Sequence, residues 1–122
     1  MIGVDLVSIA RIERFLERFG DKALERFLTE EEIANAKRVE SIAGLWAAKE
    51  AIAKALGCGI GSELGFHDIV ISKTSKGAPT FRLSPAKEEA FAIRDRSLSI
   101  SHDGGFAIAV AAIELSPSAG KS

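Results

Sequence analysis

One alanine-rich run, Ser41 to Leu56, constrains this chain more than any other feature. It contains no proline and stops at Gly57, so it reads as a helix of roughly four turns at 3.6 residues each. The stretch that follows, Gly57-Cys58-Gly59-Ile60-Gly61, reads as a flexible loop. On either side of this helix and loop the periodic segments are shorter and of mixed type.

Ile2 to Val7 is dominated by β-branched and aliphatic residues and reads as a strand. Ser8 can cap a helix running to about Phe19, with Gly20 at its end. Asp21 and Thr29 are the next cap candidates, and Thr29 with Glu32 has the spacing of a capping box. Phe66 to Thr74, rich in Ile and Val, reads as a strand. Lys76 to Pro79 then turns the chain into a second strand, Thr80 to Leu83. Ser84-Pro85 opens a short helix to about Ile93. Leu98 to His102 reads as a strand, Asp103-Gly104-Gly105 as a turn and Phe106 to Leu115 as a final strand. Without a regular βαβ beat, the expected class is α+β, a small antiparallel sheet packed with helices. The expected organisation is one domain, residues 1–115, with a flexible tail from Ser116 to Ser122.

A net charge of −1 gives no global field that favours nucleic acid. No run is long and apolar enough to span a membrane, and an acid inside the first apolar run is unlike a signal peptide. A single cysteine, Cys58, excludes an intrachain disulfide and suits a reducing cytoplasm.

Three features can carry chemistry. Asp5 is an acid in the middle of an apolar strand, which is costly to bury unless paired and harmless at an edge facing water. On the long helix, Ile42, Leu45, Trp46, Lys49, Ile52, Ala53 and Leu56 lie on or near one mostly apolar side. Ala43, Ala47, Glu50 and Lys54 form another stripe, whose small alanines leave room for something to approach Glu50 and Lys54. Glu50 and Lys54 are also an ordinary i, i+4 pair. Magnesium prefers oxygen ligands and typically takes one or two carboxylates plus substrate phosphates. Asp5, Glu50 and a nearby lysine therefore suit a phosphate-bearing substrate.

His102-Asp103 ends a strand at a turn, where a histidine can move a proton near neutral pH or simply hydrogen-bond locally. His67, in an expected strand, is given a structural role. On the first helix Ile9, Ile12, Phe15, Leu16 and Phe19 form the apolar face, and Arg11, Arg14 and Arg18 a separate stripe. That stripe is either a solvated face or a docking surface for an acidic protein.

Taken together, three segments resemble the holo-acyl-carrier-protein synthase family. They are Gly3-Val4-Asp5-Leu6-Val7 with Arg11-Ile12, Ala47-Ala48-Lys49-Glu50-Ala51 with Lys54-Ala55-Leu56-Gly57, and Leu98-Ser99-Ile100-Ser101-His102-Asp103 with the strand Phe106 to Glu114. The resemblance runs to Leu115. It implies a 4′-phosphopantetheinyl transferase-like fold that acts as a homotrimer, with each active site between two subunits. It also implies transfer of phosphopantetheine from coenzyme A to a serine of an acyl carrier protein, in support of fatty acid biosynthesis. Asp5 and Glu50 would hold Mg2+ against the coenzyme pyrophosphate, and Lys54 would neutralise phosphate charge. Coenzyme contacts are implied at Lys54, Gly57, Gly61, Pro79, Ser101 and His102, with His102 supplied by the neighbouring subunit and assisted by Asp103. Arg11, Arg14 and Arg18 would meet the carrier. The proton acceptor is either a water oriented by Glu50, or His102 with Asp103.

The chain departs from the family pattern at Leu45, where arginine is frequent, at Ala78, where lysine is frequent, and at Cys58, where threonine is common. These departures keep open a rival reading, a catalytically weakened module that binds coenzyme A or a carrier. A plain interaction domain that uses only the arginine stripe is a second rival. A transferase for secondary-metabolite carriers is a third, although the single-domain length argues against the larger two-lobed relatives.

Overall fold

A computed structural model describes residues 1–117. It places β1 at Ile2–Ser8, α1 at Ile9–Phe19, α2 at Asp21–Phe27, α3 at Glu30–Asn35 and α4 at Val39–Ala55. These are followed by β2 at Ile69–Lys73, β3 at Pro79–Leu83, α5 at Pro85–Phe91, β4 at Ile93–Asp103 and β5 at Phe106–Leu115. The expected α+β class with antiparallel sheets is what forms. One sheet has the order β1-β5-β4, and β2 pairs with β3 in a second.

The local signals explain most boundaries. Ser8 accepts a hydrogen bond from the Arg11 amide at the start of α1. At α3 the capping box is complete: the Glu32 carboxylate accepts from the Thr29 amide, and the Thr29 hydroxyl from the Glu32 amide. Gly57, at φ 82°, ends the long helix, and the amides of Cys58 and Gly59 turn back to the Ala53 carbonyl. Gly104 and Gly105, at φ 57° and 86°, make the two-residue turn of the β4–β5 hairpin, as primed turns require.

Four expectations need correction. α4 begins at Val39, two residues before Ser41. The segment before β2 is a 3₁₀ turn, Phe66–Asp68, because the Asp68 carboxylate accepts from the Gly65 amide and curls the chain. His67 therefore lies outside the strand, exposed, with Nε2 2.6 Å from the Glu25 carbonyl. Ser84 does not cap α5 with its side chain; its hydroxyl donates to Asp68, and its backbone carbonyl accepts from Lys87 and Glu88. β4 starts at Ile93 rather than Leu98, because the ladder with β5 extends past the alternating segment. Most of the expected tail, from residue 118 on, lies outside the described residues. Ser116 itself donates to the Ala92 carbonyl.

The core forms where α4 lies on the inner face of the larger sheet. Ala43, Ala47, Ala48, Ala51, Ala53 and Ala55 are buried, as are Ala107, Ala109 and Ala111 of β5. Small residues on both surfaces let helix and sheet backbones approach closely. The alanine stripe thus receives the sheet rather than leaving room for a ligand. Gly3 marks the tightest approach: a Cβ there would sit 2.0 Å from the Ala51 carbonyl oxygen. A second layer of packing is aromatic. The Trp46 ring lies 4.9 Å from both Phe27 and Phe66, and Phe15 joins them from α1.

Side chains alternate along a strand, so the register separates two faces. Gly3, Asp5 and Val7 pair with Ala111, Ala109 and Ala107 on the inner face. Ile2, Val4 and Leu6 pair with Ala112, Val110 and Ile108 on the outer face, where the large apolar side chains stand exposed beside Phe106.

Candidate active site

Where β1 meets α4, three of the candidate residues come together. Asp5 is drawn to the inner face by strand alternation and is mostly covered, 16% exposed at its side chain. The Lys54 ammonium, in the last turn of α4, donates to Asp5 Oδ1 at 2.9 Å and to the Val4 carbonyl at 3.2 Å. The lysine thus pairs across elements with Asp5, not along the helix with Glu50. Glu50 stands close by, and its carboxyl is held above the ordinary carboxylate range. Partial burial is the largest cause and the Asp5 charge the next, opposed by Lys54 and Arg11. Arg11 thus adds its charge to this cluster as well as belonging to the α1 stripe. Arg11, Arg14 and Arg18 are all exposed, with the Arg18 guanidinium 5.2 Å from the Phe19 ring centre.

A second feature is a cleft of about 800 Å³ between α3, the start of α4, the β2–β3 hairpin and the end of β4. Leu45, Gly77, Pro79 and His102 line it, together with the cations Lys73 and Arg82. Asp5, Glu50 and Lys54 do not. His102 pairs with Ala107 and so shares the inner face with Asp5, but β5 lies between their strands. At a strand spacing of about 4.8 Å, their backbones are therefore roughly 10 Å apart at the least. Asp103 pairs with Phe106 and Ser101 with Ile108, which puts both on the outer face. Alternation thus sends His102 and Asp103 to opposite sides of the sheet, so Asp103 does not brace the imidazole within one chain. Gly57 is occupied in ending α4, and Gly61 stands exposed with open space around it.

Sequence reasoning missed a buried ion pair. Lys49, placed among the apolar positions of α4, is fully buried. Its ammonium donates to Glu32 Oε1 at 2.7 Å, to the Phe27 carbonyl at 2.8 Å and to the Phe66 carbonyl at 3.0 Å. Burial holds the ammonium below its ordinary value, opposed by Glu32. A charge set in an otherwise apolar helical stripe was the available signal, since it requires a buried partner.

The matches to known proteins cover almost the whole chain. Residues 1–111 match the model of the 4′-phosphopantetheinyl transferase superfamily. A holo-[acyl-carrier-protein] synthase of Sulfurovum sp. (strain NBC37-1) is 59% identical over 113 residues, 93% of this chain and 95% of its own. The crystal structure of Helicobacter pylori holo-[acyl-carrier-protein] synthase in complex with coenzyme A superimposes with a TM-score of 0.90 at 55% identity, covering 93% of this chain and all of that one. The holo-[acyl-carrier-protein] synthase from Neisseria meningitidis gives 0.85 at 38% identity, with 93% and 96% covered. With the clustered Asp5, Glu50 and Lys54 inside the matched span, this chain belongs to the 4′-phosphopantetheinyl transferase superfamily.

Proposed function

We propose that this chain transfers the 4′-phosphopantetheine group of coenzyme A to a serine of apo acyl carrier protein and releases adenosine 3′,5′-bisphosphate. The observation that carries the reading is the carboxylate pair Asp5 and Glu50 beside Lys54, in a chain matched over 93% of its length by holo-[acyl-carrier-protein] synthases. The serine oxygen attacks the β-phosphorus as the bond to the bridging pyrophosphate oxygen breaks. The Lys54 ammonium, half exposed, is free to turn from Asp5 toward the leaving phosphate and take up its charge. The serine proton goes to a water oriented by Glu50, or to His102.

Asp5 and Glu50 are the residues that would hold Mg2+. Among the described residues no cluster of three or more metal-binding side chains forms. Two carboxylates nevertheless suit magnesium, which completes its shell with water and substrate phosphate. Burial raises the Glu50 carboxyl most and the Asp5 charge adds to it; a cation between the two acids would relieve that second contribution. When bound, the ion supplies Lewis-acid stabilisation of the pyrophosphate charge.

The active form in this reading is a homotrimer. Ile2, Val4, Leu6, Phe106, Ile108 and Val110 leave one sheet face apolar and exposed, which marks an interface. Association through it offers His102 of a neighbouring copy to the coenzyme bound at Asp5 and Glu50. Exposed Arg11, Arg14 and Arg18 form the surface that meets the acidic carrier. The setting is the reducing cytoplasm, where Cys58 stays a free thiol, and the process served is fatty acid biosynthesis.

Intact-mass spectrometry of an apo acyl carrier protein incubated with this chain, coenzyme A and magnesium tests the reading. The expected result is a mass gain of one phosphopantetheine that a chelator abolishes. No gain, with coenzyme A still raising the melting temperature, replaces it with the binding-module reading, for which Leu45 in the cleft is the structural argument.

A further inference from the structure

The buried Lys49 ammonium spends all three of its N–H bonds on different parts of the chain: the last residue of α2, the acid in α3 and the turn before β2. Glu32 extends the junction. Its Oε1 also accepts from the Thr29 amide, and its Oε2 accepts from the Ile71 amide of β2 at 2.7 Å. No buried side-chain nitrogen or oxygen among the described residues lacks a partner, so this polar core is fully satisfied. Two of the residues it fixes, Glu32 and Ile71, line the large cleft, with Ser72 and Lys73 following on the same strand. On the opposite side α4 is held by Gly3, which admits the backbone at Ala51 and Ala55. Consecutive helical residues diverge by about 100°, so anchoring Lys49 on one side turns Glu50 away from it, toward Asp5.

We infer that Lys49 and Glu32 are positioning residues for the transfer reaction: one buried ion pair couples the helix that carries Glu50 to the wall of the cleft. This rests on the function proposed above, with the cleft, which carries His102, taken as the seat of the nucleotide end of a coenzyme whose pyrophosphate lies at Asp5 and Glu50 of a neighbouring copy. Lys49 itself touches no substrate; Lys54, half exposed and beside Asp5, is the lysine available to phosphate. Loosening the pair shifts the cleft wall relative to α4 and weakens coenzyme binding. The arginine stripe on α1 makes none of the junction's hydrogen bonds, so carrier recognition stays as it was.

The test compares the parent chain with Glu32→Gln and with the double variant Lys49→Met/Glu32→Gln. The double variant removes both charges together and leaves no ion buried alone. Folding is checked by circular dichroism, and kinetics are run below each variant's melting transition with coenzyme A and carrier varied separately. The expected result is a rise of at least fivefold in KM for coenzyme A in both folded variants, with KM for the carrier within twofold of the parent. Folded variants with unchanged KM for coenzyme A overturn the positioning role and leave the transferase reading standing, even if their stability is lower. A parent chain that modifies no carrier overturns both.

Discussion

Gly3→Ala is the substitution for which the geometry gives the clearest magnitude. The new Cβ would lie 2.0 Å from the Ala51 carbonyl oxygen and 2.6 Å from the Ala55 nitrogen, both backbone atoms of α4 that no side-chain rotation can move away. Ordinary van der Waals contact begins near 3.4 Å, so β1 and α4 must separate by about 1.4 Å. Overpacking a core typically costs about 1–3 kcal/mol, and a clash with helix backbone belongs at the upper end. The alanine returns about 0.4–1 kcal/mol by restricting the unfolded chain. A net loss of about 2–3 kcal/mol follows, or roughly 10 °C in melting temperature for a domain of this size. The same separation pulls Asp5 on β1 from Glu50 and Lys54 on α4, and a misplacement of about 1 Å can cost about 10²-fold in rate. Urea denaturation and a phosphopantetheine-transfer assay on the folded protein read the two effects. A variant within about 0.5 kcal/mol of the parent and with undiminished kcat/KM would refute the argument that the β1–α4 contact sets the site.

Glu50→Gln should lower transfer by at least 10²-fold while leaving the fold intact. Because folding raises the Glu50 carboxyl, the native state holds that proton more tightly than the unfolded chain, and the group's contribution to stability declines as pH rises above the ordinary carboxylate range. Denaturation at about pH 4 and pH 7 should therefore show the variant gaining on the parent at the higher pH. Arg14→Glu should raise KM for the carrier about tenfold at low ionic strength, with the defect shrinking in 0.5 M salt and KM for coenzyme A unchanged. Val110→Arg places a charge at the centre of the exposed apolar face; sedimentation should show monomers, and transfer should fall because His102 is no longer supplied by a neighbour.

Where the deciding interaction was local, it could be read directly. The Ser8 cap, the Thr29–Glu32 box, the stop at Gly57 and the Gly104-Gly105 turn each depend on residues within a few positions. What failed to show depended on distant partners. Asp95 and Arg96 carry no alternating signal, yet they are strand because β5 is there to pair with, the register shifting at Arg94; Arg96 is further held by both oxygens of Glu88 and by the Phe81 ring. Lys54 finds Asp5 across 49 positions, which overrides the helical pairing with Glu50 that spacing favoured. Lys49 stood in a pattern that named no partner, and only the folded chain shows Glu32 reaching it. Asp5 was legible as an anomaly, and Glu50 with a lysine as groups that suit it chemically, but that they meet was not: alternation alone does not say which face a helix covers.

The strand order also has a kinetic consequence. β4 and β5 are joined by two residues, so their hairpin closes locally and fast. β1 pairs with the same central strand from the far end of the sequence, Ile2 against Ala112, and that closure carries the entropy of a very long loop. Until it happens, β5 offers one unpaired edge and an apolar face together, the combination that templates aggregation. α4 is placed to shorten that interval, because it packs on both β1 and β5 and can hold them as neighbours before their hydrogen bonds form. The contact that seats the carboxylates thus also serves as the scaffold on which the sheet completes itself.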